Sequence, residues 1–216
     1  PHVSPSSTNP GLSDSAAYPG FFRVVPSDSL QGGALVHANT IGGSSDPALV
    51  HMTNDYGAGL AAAFEIAWGT DNLCTKIGYE DTTTDFTSLV ADVIDAGCDS
   101  VVMVSYSADG AALVDELRYQ GFSGSIVGAD GIADLAWLND FSDESLADGV
   151  LAVRPSSYSD AFHPPTAQRS QDFGAACYND SDCSGGIYTA ETYDAITIVA
   201  EAFILSQMFG ETLEDS

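Results

Sequence analysis

Short apolar runs alternate with longer amphipathic ones along most of this chain, and that rhythm narrows the choice of fold more than any other feature. Runs of strand length fall at Ala48 to Met52, Lys76 to Tyr79, Ser100 to Val104, Ser125 to Val127 and Gly149 to Val153. Helical patterns separate them at Ser29 to Ala38, Ala58 to Trp68, Phe86 to Ala96 and Gly110 to Gln120. In the third, Phe86, Leu89, Val90, Val93 and Ile94 recur at helical spacing behind Asp85, and Gly97 closes the segment. Asp109 similarly opens a helix whose Leu113, Val114 and Leu117 face inward and whose end is marked by Gly121. Strands that alternate with helices of about ten residues build βαβ units around a parallel sheet, so the class is α/β.

The flanks break the rhythm. A Ser- and Pro-rich opening leads into an apolar run at Phe21 to Val25. After Val153 come a polar loop, a helix around Gln168 to Tyr178, a Cys/Asp/Ser/Gly loop and an apolar helix from about Thr189 to Met208. These last segments read as a layer of a different body. At 216 residues the chain has room for one or two domains.

Charge then limits the partners. The chain carries 31 acidic and 5 basic residues, a formal net charge of −26, which repels phosphate backbones and anionic lipid surfaces. With 44% hydrophobic residues the acid sits on a folded body rather than a disordered tail. Five cations are too few to neutralise that surface, so dissolved salt must screen it, which hints at a saline habitat.

Catalytic signatures are missing. Gly121-Phe-Ser-Gly-Ser125 fails the nucleophile-elbow pattern at its last position, and His2, His37, His51 and His163 share no metal-ligand spacing. No glycine-rich phosphate loop is present, so the chain reads as a non-enzyme. Cys74, Cys98, Cys177 and Cys183 form an even set without CxxC spacing, which favours disulfides and an oxidising, extracytoplasmic compartment.

Seven motifs in order give the chain a family likeness: Val3-Ser-Pro-Ser-Ser-Thr-Asn-Pro10, Phe22-Arg-Val-Val-Pro-Ser-Asp28 with Gln31-Gly32, Asn54-Asp-Tyr-Gly57, Thr84-Asp-Phe86, Gly97-Cys-Asp-Ser-Val-Val102, Gly128-Ala-Asp-Gly131 and Tyr193-Asp-Ala195. Together they resemble the type I periplasmic solute-binding proteins, in particular the branched-chain amino-acid receptors of ABC transporters. The resemblance implies two α/β lobes that close on a small ligand. Residues 1–24 would then be a remnant of lobe I, 25–149 all of lobe II and 150–216 a return to lobe I, in a chain that looks like an internal fragment. It further implies a periplasmic or extracellular location, with a lipid anchor on a missing N-terminus as one form, and an ABC permease as partner. A ligand-sensing domain of a receptor or regulator is the competing reading.

Site residues follow by register. In the family the positions of Ser6 and Thr8 bind a ligand carboxylate; on sequence alone that turn reads as a Ser-rich cap. Tyr56 lies where a strand meets a helix, and Tyr106, with Ser107 as its rival, follows the next strand but one; both imply aromatic walls of a cleft. Asp130 matches the family's acidic partner of the ligand ammonium.

Cys74 precedes the strand at Lys76 and Cys98 that at Ser100, so if those strands are neighbours the two can bridge; Cys177 would pair with Cys183. Finally, Asp180, Asp182, Ser184 and Glu191 occupy positions 1, 3, 5 and 12 of a calcium-type loop, with Gly185 at 6. The plainer alternative is an acidic turn whose Glu191 merely opens the next helix.

Overall fold

The structure, a computed structural model, describes residues 2–155, 177 and 187–209. It divides into two compact units, one of Ser27–Arg154 and one of Pro1–Pro26 with Pro155–Ser216.

The Ser27–Arg154 unit is a parallel sheet between two helical layers. Its strands are β3 (Pro47–Met52), β4 (Thr75–Tyr79), β5 (Ser100–Val104), β6 (Ser125–Gly128) and β7 (Leu151–Ala152), in the order β4-β3-β5-β6-β7. Helices α1 (Asp28–Ile41), α2 (Asp55–Trp68), α3 (Thr87–Ala96) and α4 (Ser107–Tyr119) connect them. The alternation of side chains along each strand explains the layers. Leu49, Val102, Val104 and Val127 pack with Leu35, Leu60 and Phe64 of α1 and α2. Ala48, Val50, Val101, Met103 and Ile126 point the other way, onto Val90 and Val93 of α3 and Leu113 and Leu117 of α4.

Local signals set the ends of these elements. Ser27 Oγ accepts from Ser29 N to cap α1, Asn54 Oδ1 accepts from Gly57 N (2.9 Å) to cap α2, and Asp85 accepts from Thr87 N (2.9 Å) ahead of α3. Helices α1 and α2 touch at Gly32, where a Cβ would come within 2.6 Å of the Ala63 backbone, so only glycine fits. Helix α4 begins at Ser107, earlier than the expected start at Asp109, which instead lies in its first turn. From Asp130 to Ala147 the chain forms three 3₁₀ turns that no periodicity announced.

The edge at the strand starts is heavily tied. Cys74 and Cys98 form a disulfide with Cα atoms 5.5 Å apart. The pairing agrees with expectation, but its premise does not: β3 lies between β4 and β5, so those strands are not neighbours. The bridge closes because Cys98 lies two residues before β5, in the turn after α3, and that turn can reach past the start of β3. Alongside it, Asp99 accepts from Ser45 N (2.8 Å), Asp46 N (3.0 Å), Ser45 Oγ (3.0 Å) and Ser44 Oγ (2.5 Å). Burial alone would raise the Asp99 pKa, but these donors outweigh it and hold the carboxyl at about 2.

The other unit contains β1 (His2–Ser4) and β2 (Phe21–Arg23), a parallel pair, and α5 (Thr189–Phe209), which packs against β1. The α5 bounds agree closely with the apolar run read from sequence. Glu191 falls in its first turn, while Asp180, Asp182 and Ser184 of the expected calcium loop, the expected helix from Gln168 to Tyr178 apart from the helical Cys177, and the Cys183 half of the second disulfide lie outside the described residues. No described helix is long and apolar enough to cross a membrane.

Candidate functional site

The sheet reverses its direction of growth at β3. From it the chain moves outward to β4, then crosses back to β5 on the other side, and continues to β6 and β7. In open parallel sheets the carboxyl ends of the two strands flanking such a reversal splay their loops apart and leave a crevice for ligand. Tyr56 comes from the loop and helix after β3, Tyr106 from the residue before α4 after β5, and Asp130 from the turn after β6.

These three side chains meet. The rings of Tyr56 and Tyr106 stack with centroids 5.1 Å apart and an interplanar angle of 11°. Tyr56 Oη donates to Asp130 Oδ1 at 2.8 Å and accepts from Gly131 N at 3.1 Å. Asp130 is 3% exposed, whereas Tyr106 is 47% exposed. Ser107, the rival position, is the first residue of α4, and the ring in the stack is that of Tyr106.

Gly131 makes this closeness feasible. A Cβ there would sit 2.3 Å from the Ser105 carbonyl oxygen and 3.0 Å from Tyr56 Oη, so any side chain would push the Asp130 turn away from the tyrosines.

Two participants were not singled out from sequence. Gln31 Nε2 donates to Asp130 Oδ1 (2.8 Å) and to the Val153 carbonyl (3.3 Å), which fixes the carboxylate from the α1 side. Asp28, one helical turn earlier on the same face, is fully buried. Both stood within the quoted Phe22 to Gly32 motif, and their signal was polar residues at i and i+3 facing the sheet. Burial, then the charges of Asp130, Asp109 and Asp28, push the Tyr106 hydroxyl above the usual tyrosine range. The field over this ring is therefore negative.

Ser6 and Thr8 lie in the other unit, in the turn after β1. Ser4 Oγ accepts from Ser7 N (3.0 Å) and Ser6 N (3.3 Å), so the backbone of the turn is capped locally. Arg23 Nη1 donates to the carbonyls of Asn9 (2.8 Å), Thr8 (2.9 Å) and Ser7 (3.3 Å), and thereby holds the segment from β2. Thr8 is buried and Ser6 exposed. No group of three or more metal-ligating side chains occurs among the described residues.

Comparison with known proteins bears on this geometry. The family model described as "Receptor family ligand binding region" matches residues 1–206. The chain belongs to this family. The chain is 29% identical over 161 residues to the Leu/Ile/Val-binding protein of Escherichia coli K12, a match covering 72% of this chain and 42% of that protein. It is 28% identical over 137 residues to Leu/Ile/Val-binding protein homolog 3 of Brucella melitensis, covering 61% of this chain and 36% of that one. The chain thus spans less than half the length of the curated relatives it matches. Among solved structures, a leucine-binding protein from Thermotoga maritima superposes with a TM-score of 0.79 at 20% identity, covering 95% of this chain and 57% of that one. A branched-chain amino-acid transporter substrate-binding protein from Streptococcus pneumoniae, solved with isoleucine, gives 0.76 at 21%, covering 94% and 56%. These likenesses show the type I periplasmic-binding-protein fold. The relatives and neighbours are solute-binding proteins, not enzymes.

Proposed function

We propose that this chain is part of an extracytoplasmic solute-binding protein that captures a small amino-acid-like ligand and delivers it to an ABC importer. The observation that carries the proposal is Asp130: a buried carboxylate in the turn after β6, oriented by Gln31 and by Tyr56 from the sheet reversal, beside a tyrosine ring that lies in a negative field. Such a position favours an ammonium, which can also lie against the stacked rings. The amino-acid names carried by the Escherichia coli and Streptococcus pneumoniae proteins support the same ligand class.

Calorimetric titration of the full-length protein with the twenty amino acids tests this. Binding of at least one is expected, with Asp130→Asn weakening it by about 1.5 to 3 kcal/mol, the worth of a hydrogen bond to a charged group. Undiminished affinity in that variant, or no binding by any amino acid, would sink the proposal.

A further inference from the structure

Tyr79 ends β4 and is 5% exposed, too buried to touch anything in the crevice. Phe86 meets it edge-on, with ring centroids 5.1 Å apart at 84°, which fixes the ring and aims the hydroxyl along the strand ends. That hydroxyl lies 2.7 Å from Ser105 Oγ, in the residue that follows β5, and donates to Asp109 Oδ2. The same Asp109 oxygen accepts from the backbone N–H of Tyr106 at 3.3 Å. A single carboxylate oxygen therefore joins the edge strand to the residue whose ring forms half of the tyrosine stack. On the far side of the stack the line continues through Tyr56 to Asp130, Gln31 and the Val153 carbonyl. Two hydrogen-bonded chains, joined to each other through the ring stack, thus span the carboxyl end of the sheet from β4 to the residue after β7.

We infer that Tyr79 and Asp109 are positioning residues for Tyr106, holding the backbone before α4 so that the ring stands parallel to Tyr56 and the crevice is formed before ligand arrives. Burial, and then the hydrogen bond to Asp109, push the Tyr79 hydroxyl well above the usual tyrosine range, so the donor stays protonated wherever the protein is folded. Asp109 acts on Tyr106 through the main chain. Its effect therefore does not depend on what the ring touches, and Tyr106 loses its orientation, not its chemistry, when the strut is cut. This inference rests on the reading of Tyr106 as a crevice wall.

The test is a double-mutant cycle by calorimetry on the full-length protein, with L-leucine and L-isoleucine as probes and the remaining amino acids if neither binds. Tyr79→Phe removes one hydroxyl and no packing, and is expected to weaken binding about three- to tenfold, the range of one hydrogen bond lost. Asp109→Ala should do the same, while Asp109→Asn, which keeps an acceptor oxygen, should restore affinity to within about twofold of the unmutated protein. In a Tyr106→Ala background, Tyr79→Phe should add nothing further, because there is no ring left to position. Thermal melts of each variant separate loss of fold from loss of affinity, and Asp109→Asn keeps the cycle readable if Asp109→Ala fails to fold. Two results overturn the inference: Tyr79→Phe leaving affinity unchanged while Tyr106→Ala weakens it, or the two losses multiplying. If the unmutated protein binds no amino acid, the reading of the site fails first and takes this inference with it, an outcome distinct from both.

Discussion

The two edges of the five-stranded sheet are built for opposite purposes. At the strand starts, a disulfide joins the segments before β4 and β5, and the Asp99 carboxylate ties the backbone and hydroxyls of Ser44, Ser45 and Asp46 to the start of β5. At the strand ends, one hydrogen-bonded chain from Tyr79 to the Tyr106 backbone and another from Tyr56 to Gln31 meet at the tyrosine stack and leave Tyr106 half in the open. One edge resists change and the other is arranged to receive something. The lesson is that the same parallel sheet gives both, because parallel strands put all their starts on one side and all their ends on the other.

That contrast can be broken most forcefully at the disulfide. Replacing Cys74 and Cys98 together by serine should cost roughly 3 kcal/mol of stability, the entropy released by opening a loop of 24 residues' separation. Guanidinium melts measure that loss, and calorimetry should show ligand affinity within about twofold of the parent if the edges are independent. A large loss of affinity would mean that the two edges are coupled through the strands.

From the other side, Gly131→Ala should weaken binding while disturbing the fold less. Its Cβ collides with the Ser105 carbonyl and crowds Tyr56 and Tyr106, an overpacking of about 1 to 3 kcal/mol concentrated on the tyrosine stack. Titration and melting of the one variant compare the two effects directly, and a loss confined to stability would contradict the placement of the site.

Acid gives the smallest and most local effect. The Asp99 pKa is depressed in the folded protein, so its contribution is complete above the ordinary carboxylate value near 3.8 and drains away as pH falls towards about 2. Melts of the parent and Asp99→Asn between pH 5 and pH 2 should therefore converge as acid is added, with the gap already narrowing below about pH 4. Because Asp99 is solvent-exposed, the difference will be modest.

Much of the scaffold was legible. The run Ser100 to Val104 matches β5 residue for residue, and the helical pattern from Phe86 to Ala96 gives α3 within one residue, because both are set by local periodicity. Tyr56, Tyr106 and Asp130 were named through the family resemblance, and the alternation added only that each follows the end of a strand. What escaped was order across the sheet: nothing in the apolar run at Ala48 says that it divides β4 from β5, so the bridge between Cys74 and Cys98 was expected for the wrong geometric reason. Gln31 escaped because its partner, Asp130, is 99 positions away, and a buried glutamine announces itself only through what it bonds. The turns between Asp130 and Ala147 are shorter than any period that could reveal them.

Among the described residues strand β4 has one neighbour, yet it is fastened at both tips, at Cys74 by a covalent bond and at Tyr79 by the contacts of its hydroxyl. A border strand fixed at one tip could peel away like tape from the free end. It could also slide two residues and offer its open amides to another molecule, the usual route from a folded sheet to an aggregate. Fastened at both tips it can do neither without opening its neighbours as well. In hydrogen exchange the amides that β4 shares with β3 should accordingly be released with the central strands, and the outermost seam of the sheet should be among the last to come undone.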